Sequence, residues 1–398
     1  MPFRETCVSD EKVRFIAEYL EGDRTMTSLC ERFGISRQWG YELVRRHQAE
    51  GFDGLKSRSR APHHHGMAME PEIAEAIKAI RLEHPTWGPK KLRKVLSDRD
   101  PELDWPALST MGGLLRREGL SKPRRRRRLP MPLTQPFAPV QAPNDLWCID
   151  FKGWFRTGDG ERCDPLTLSD ADSRFLLECQ DLEPTEEGVK PRVDDVFHEN
   201  GLPIAMRSDN GPPFAGTGAG GLTRLAVHWI KLGIKLERTD VGSPEQNARH
   251  ERMHGTLKAD TCKRPAPTRA EQQARFDRFR QEFNYLRPHE ALGLETPASR
   301  YQPSPRPFPQ RIEEPVYDAD LAVRRVRSNG EIKWGGDLIF ISEALVGEPV
   351  GIIETKDGDW LVCFADHPLG IVNRRTRRLR PYAPARPHAS SANNPPTK

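Results

Sequence analysis

No stretch of this 398-residue chain approaches the roughly 18 consecutive apolar residues that a membrane-crossing helix requires. Its opening, MPFRETCVSDEKVRF, is charged throughout and lacks the apolar centre of a secretory signal. A cytoplasmic protein with no membrane partner is expected. The seven cysteines, at 7, 30, 148, 163, 179, 262 and 363, include no C-x-x-C pair, which argues against a zinc ribbon and against a disulfide framework. A P-loop and a G-x-S-x-G elbow are absent as well, so the two chemistries those motifs serve are not expected. Gly216-x-Gly218-x-x-Gly221 matches the dinucleotide fingerprint only formally, because it follows Pro212-Pro213-Phe214-Ala215 and not an apolar strand. His63 to His65 are three consecutive side chains in a flanking-glycine linker, a poor geometry for gripping one ion.

What the chain has is unevenly placed positive charge. The net charge is +5, yet Lys122 with Arg124, Arg125, Arg126, Arg127 and Arg128, and then Arg374, Arg375, Arg377, Arg378 and Arg380, outnumber it, so the remainder is net acidic. Concentrated arginine of this kind suits a phosphate backbone. Proline clusters at 123–143 and 297–309 read as extended linkers. They divide the chain into a helix-turn-helix unit (1–60), a second helical or winged-helix-like unit (68–121), a basic linker (122–143), a central domain (144–296), a proline-rich linker (297–318), a small β domain (319–382) and a disordered tail (383–398).

The first unit places Val13, Ile16, Ala17 and Leu20 at helical spacing. Ser28 and Glu31 form a capping box, Gly34 supplies a turn, and Ser36 caps a second helix bearing Arg37, Gln38, Arg45 and Arg46, the expected DNA reader. The second unit repeats the scheme with Ile73, Ile77 and Ile80, a break at Trp87-Gly88-Pro89, then Leu92, Val95 and Leu96, and a helix capped by Ser109 that ends at Arg116 and Arg117. In the central domain LWCIDF (146–151), RFLLEC (174–179), PIAMRS (203–208) and IKLE (234–237) read as strands. Helical patterns follow at Val189/Val193/Phe197, Leu222/Leu225/Trp229, 244–260 and 270–285. Strands first, then strands alternating with helices, give a mixed α/β sheet. Short strands around Asn329-Gly330 and Asp357-Gly358 turns suggest a small C-terminal β-barrel.

Three acids stand out. Asp150 interrupts an apolar strand, where an ionised carboxylate is costly unless paired or bound to a metal. Asp209 ends a strand before Asn210-Gly211, and strand ends of open α/β sheets are where sites collect. Glu245 sits in the capping box Ser243-Pro244-Glu245-Gln246 and is structural, whereas Glu251 lies about two turns further along that helix, with Gly255 and Lys258 on its face. Hard oxygen ligands of this type prefer Mg²⁺ or Mn²⁺. Two such ions about 3.5–4 Å apart activate a hydroxyl and stabilise the leaving oxygen of a phosphodiester.

Asp150-Phe151-Lys152, Ser208-Asp209-Asn210-Gly211-x-x-Phe214 and Ser243-Pro244-x-Gln246-Asn247-x-x-x-Glu251-Arg252-x-His254-x-x-Leu257-Lys258 resemble the three motifs of the DDE transposase and retroviral-integrase superfamily. Phe283-Asn284-x-x-Arg287-Pro288-His289-x-Ala291-Leu292 and Trp87-Gly88-Pro89 carry the resemblance further, towards bacterial insertion-sequence transposases of the insertion sequence four-eighty-one family. The spacer from Asp209 to Glu251 is longer than in many relatives, and the glycine-rich stretch Gly216 to Gly221 would absorb the excess. The resemblance implies an RNase H-like core, an SH3-like C-terminal barrel, and Asp150, Asp209 and Glu251 as catalytic ligands of two Mg²⁺ or Mn²⁺ ions. It further implies that Lys258, Arg252 and His254 contact DNA. The partners would be the element's terminal inverted repeats and target DNA, held by a homodimer or homotetramer. The alternatives are a DNA-binding regulator derived from such an enzyme, and a plain metal-dependent nuclease.

Overall fold

The computed structural model describes residues 7–57, 69–121, 140–239 and 248–382, excluding the side chains of 248 and 249. His63 to His65, the basic run Arg124 to Arg128, the Ser243–Gln246 capping box and the 383–398 tail lie outside the described residues. Two compact units result, one up to Glu70 and one from Pro71 onward.

The first unit packs α1 (Val8–Glu21), α2 (Met26–Phe33) and α3 (Arg37–Glu50) around Phe15, Ile16, Leu29, Cys30, Leu43, Val44 and Leu55. The buried face of α1 is not the predicted one: Val13, Ala17 and Leu20 are exposed, and Phe15 and Ile16 turn inward with Tyr19 packed beside them. The two aromatic rings bury more area than the aliphatic stripe and decide the helix's rotation. Thr25, not Ser28, caps α2 by accepting from the Ser28 N–H at 3.4 Å. Gly34 closes α2 in the left-handed region, and Ser36 caps α3 through the Trp39 N–H.

In the second unit α4 (Pro71–Glu83), α5 (Pro89–Arg99) and α6 (Leu108–Arg117) bury Ile77, Ile80, Leu92, Val95, Leu96, Met111, Leu114 and Leu115. Ala107 precedes α6 and Ser109 lies inside its first turn, so the predicted side-chain cap is absent. This helical group docks on the central domain. The His84 ring stacks on Trp87 and donates from Nδ1 to Glu282 at 3.0 Å, and Lys90 meets Glu290 at 3.3 Å.

The central domain is a mixed five-stranded sheet in the order β5-β4-β1-β6-β7. Its strands are β1 (Leu146–Phe151), β4 (Pro165–Asp170), β5 (Leu176–Asp181), β6 (Ala205–Ser208) and β7 (Lys235–Arg238), with a small hairpin β2 (Phe155–Arg156) and β3 (Arg162–Cys163) between β1 and β4. The first three ladder strands are antiparallel, while β6 and β7 run parallel to β1. This is the expected RNase H-like core. On one face α7 (Glu186–Asn200) and α8 (Arg224–Lys231) pack Val193, Phe197, Leu225 and Trp229 against Trp147, Ile149, Leu166 and Met206. On the other lie α9 (Ala248–Leu257) and α10 (Arg269–Gln281), each running into a π-turn.

β4 shows no continuous apolar strand signature in its sequence. PLTLSD begins with proline and alternates leucine with hydroxyl and acidic side chains, yet all six residues are buried. The outer edge of β5 is closed by side chains of α10 and its π-turn. Asn284 accepts from the Leu176 N–H at 2.8 Å and donates to the Leu176 carbonyl at 2.9 Å, and Gln273 does the same for Asp181 N–H and Cys179 carbonyl. Amide side chains thus stand in for a missing neighbouring strand.

Residues 297–312 are not a free linker. Tyr301, Phe308 and Ile312 pack on the α7/α8 core, and Arg306 donates to the carbonyls of Pro203, Leu232 and Gly233. Beyond them β8 (Ala322–Arg325), β11 (Pro349–Glu354), β12 (Trp360–Phe364), β13 (His367–Val372) and β14 (Leu379–Pro381) form one antiparallel sheet, and β9 (Glu331–Trp334) pairs only with β10 (Asp337–Phe340). The expected barrel is therefore an open sheet plus a hairpin. Asp357-Gly358 does join paired strands, whereas Asn329-Gly330 turns between β8 and β9, which form no ladder. This sheet shares a core with Leu222, Ala226 and Val227 at α8.

Replacing Asn284 by Ala leaves the buried Leu176 N–H and carbonyl without these partners. The expected cost is roughly 2–4 kcal/mol of unfolding free energy, with Asn284→Asp, which keeps only the acceptor, in between. Urea denaturation followed by tryptophan fluorescence measures it, and losses within about 0.5 kcal/mol, the range of ordinary surface changes, would contradict the edge-capping role.

Candidate active site

The parallel register pairs Leu146 with Ala205 and Cys148 with Arg207. Continued for two residues, it brings Asp209 level with Asp150, at the carboxyl ends of two adjacent strands. The side chains of a strand alternate between its two faces. Asp150 therefore shares the face of Leu146 and Cys148, opposite Trp147 and Ile149, which belong to the α7/α8 core. That face is overlaid by α9, whose first turn carries Glu251.

The three acids differ in exposure: the Asp150 side chain is 22% exposed, while Asp209 and Glu251 are exposed. Burial, and then the negative charges of Asp209 and Glu251, push the Asp150 carboxyl up to about 7, against a smaller lowering by the Phe151 N–H. Asp150 thus lies close enough to each of the other two acids to be repelled by it, a condition that a divalent cation relieves, while the tighter cluster of possible ligand atoms around it is Asp150 with His250 and His254.

Asp150 is flanked by a buried polar cluster. Thr167 faces Asp150 across the β1–β4 ladder, and Ser169 faces Cys148. The Thr167 hydroxyl lies 3.1 Å from the Asp150 carbonyl, 2.8 Å from His250 Nε2 and 2.7 Å from His254 Nε2, and Ser169 Oγ is 2.9 Å from His250 Nδ1. Desolvation holds both imidazoles below their ordinary range, with His254 pushed down to about 4 with help from the Lys152 charge. Both are neutral near pH 7.

The other predicted residues fall in several places. His254, expected at the DNA, is 9% exposed and turned inward. Arg252 is exposed and borders a cavity lined also by Lys91, Arg174, Arg287 and His289 and, from the sheet, by Cys148, Ser169 and Asp170. Lys258 is exposed where α9 enters its π-turn, and Arg116 and Arg117 are exposed at the end of α6. On α3, Arg37 and Gln38 are exposed, whereas Arg45 and Arg46 both pair with Glu42, at 2.6 and 2.8 Å. Thr167, Ser169 and His250 were missed. Only the hydroxyls at alternate positions of PLTLSD, opposite the His-x-x-x-His spacing of 250 and 254, could have signalled them.

Comparison with known proteins finds residues 232–297 matching the integrase core domain, residues 11–63 a helix-turn-helix domain and residues 39–115 a homeodomain-like domain. An insertion element IS407 protein of Burkholderia multivorans is 30% identical over 194 residues, covering 46% of this chain and 65% of that relative, so the chain spans just under two thirds of its length. An insertion element IS476 protein of Xanthomonas euvesicatoria is 26% identical over 289 residues, covering 69% of this chain and 78% of that one. Among solved structures, the HTLV-2 integrase catalytic core in complex with magnesium is 16% identical, with a TM-score of 0.31 over 40% of this chain and 97% of that one. A simian T-cell lymphotropic virus intasome chain gives a TM-score of 0.35 over 75% of this chain and 100% of that one, at 14% identity. At these scores neither likeness bears on function. The sequence relationships do show that the chain carries helix-turn-helix domains and an integrase core domain, and that it is similar to insertion-element proteins.

The raised Asp150 carboxyl fixes a pH dependence. Its folded value lies above its unfolded value, so the folded chain binds more protons between about pH 4 and 7, and metal-free stability falls as pH rises through that window. In EDTA, Asp150→Asn is expected to melt above the parent at pH 8 and level with it below about pH 4. Equal melting temperatures at pH 8 would show that the Asp150 carboxyl is not raised by its burial and its acidic neighbours.

Proposed function

We propose that this relative of insertion-element proteins is a transposase: its core nicks the ends of the element and joins each freed 3′-hydroxyl to target DNA. The observation that supports this reading best is the placing of Asp150, Asp209 and Glu251 at the carboxyl ends of β1 and β6 and on α9, with Asp150 destabilised as an anion by burial and then by the other two. Such oxygen donors suit two Mg²⁺ or Mn²⁺ ions. When bound there, the ions supply an acidified hydroxyl and charge stabilisation for the leaving oxygen of the phosphodiester.

The chain's own residues position the DNA. Arg37 and Gln38, exposed early in α3, are placed as the recognition-helix positions that read base edges, with Arg45 and Arg46 partly committed to Glu42. Arg116 and Arg117 at the end of α6, Arg252 beside its cavity, and Lys258 are assigned to phosphates, as is the Arg124 to Arg128 run. His254 is reassigned from DNA contact to the interior of the site. Two element ends must be held together for joining, so the working form is a homodimer or homotetramer on double-stranded DNA. No helix among the described residues is long and apolar enough to cross a membrane, and a bacterial cytoplasm is the compartment this activity requires.

The test is cleavage of a duplex carrying the element's terminal repeat, in Mg²⁺ or Mn²⁺. Asp150→Asn, Asp209→Asn and Glu251→Gln are each expected to lower nicking by on the order of 10³ or more with repeat binding intact. Tight binding without nicking in the parent would identify a regulator, and nicking without joining to a target plasmid would identify a nuclease. Gel-shift titrations check the reader: Arg37→Ala or Gln38→Ala should cost about 1–3 kcal/mol on the cognate repeat and far less on random duplex, whereas neutralising Arg124 to Arg128 should weaken both and flatten the salt dependence.

A further inference from the structure

The cluster beside Asp150 admits one proton arrangement that makes all of its contacts hydrogen bonds. The Thr167 hydroxyl owns one proton and has three neighbours: the Asp150 carbonyl, His250 Nε2 and His254 Nε2. A carbonyl can only accept, so when Thr167 donates to it, both rings must donate their Nε2–H groups to the Thr167 oxygen. His250 then accepts the Ser169 hydroxyl proton at Nδ1, and both of its nitrogens are used inside the protein.

His254 differs. Its Nδ1 has no hydrogen-bond partner among the described residues and in this arrangement carries a lone pair, 3.9 Å from Asp150 Oδ2. A lone pair facing a carboxylate oxygen at that distance is neither a hydrogen bond nor an attraction. Donor atoms of Asp150, His250 and His254 all lie within 4.8 Å of one another. Two donors bound to one cation at about 2.1 Å each sit roughly 3–4 Å apart. An imidazole whose far N–H is anchored on a fixed acceptor, as His254 is on Thr167, has the outer-shell arrangement typical of ligating histidines.

We propose that His254 Nδ1 is a further ligand of the divalent cation held by Asp150, oriented by Thr167, His250 and Ser169. The inference rests on the metal-dependent reading of the three carboxylates and adds a nitrogen to an otherwise all-oxygen set. Imidazole suits Mn²⁺ and later transition ions better than it suits Mg²⁺, so the site prefers Mn²⁺.

The experiment loads the full-length chain with Mn²⁺ and reads electron spin-echo envelope modulation, which reports nitrogen bonded to the ion whatever the activity. The parent is expected to show histidine nitrogen coupling that His254→Asn abolishes and His250→Asn retains. Titration should show Mn²⁺ affinity falling about 10–100-fold in His254→Asn, with Mg²⁺ affinity changing less. Mn²⁺ bound in an Asp150-dependent manner without nitrogen coupling overturns this inference and leaves the carboxylate site standing. No Mn²⁺ binding at all overturns both. Should His254→Asn fail to fold, the parent spectrum still decides whether a nitrogen ligand exists, and coupling that survives in His250→Asn assigns it to His254.

Discussion

Carboxylates repel one another most where water is scarce, and this chain gathers three of them at one end of a sheet. Asp150 bears most of the strain because it alone is substantially buried, at the end of a strand otherwise packed with apolar side chains. Much of the surrounding architecture serves to keep the acids together regardless. The parallel β1–β6 ladder, two residues short of the pair, sets the register that brings Asp209 level with Asp150. Glu251 arrives on a different element, and α9 is held to the sheet by His250 and His254 through the same threonine that touches the Asp150 main chain. One small hydroxyl thus couples the strand bearing the first acid to the helix bearing the third.

The legibility of these parts in the sequence follows from what each element buries. LWCIDF is legible because five of its six residues are apolar, so the lone acid announces itself. PLTLSD was not, because its polar alternation, which usually marks a solvent-facing side, here faces two histidines 80 and more residues away in sequence, a contact that only tertiary structure creates. Asp150 and Asp209 could be located from strand context, whereas the supporting threonine, serine and histidine could not. At the first helix the aliphatic spacing was sound as a pattern and wrong as a face, since Phe15 and Tyr19 offered more surface to bury.

Composition misled in the segment after the core. Five prolines within 297–309 suggest an extended tether, but a proline-rich chain with Tyr301, Phe308 and Ile312 at intervals can lie along a core as readily as float away from it. Arg306 fastens it by bonding three carbonyls that no strand or helix satisfies. The turn dipeptides further on marked real turns, yet a turn does not say which strands pair: β8, before the turn at Asn329-Gly330, pairs with β11, and β9, after it, pairs with β10.

The amide side chains that close the edge of β5 bear on how copies of this chain can associate. Sheets commonly extend from one molecule into the next by pairing exposed edge strands, and at this edge the main-chain groups of Leu176, Cys179 and Asp181 already bond to Asn284 and Gln273 from the same chain. A continuous sheet running between two cores through β5 is therefore closed off. Copies of this chain that meet at this edge must therefore do so through side-chain surfaces, which leaves β7 as the edge of the central sheet where main-chain pairing stays open.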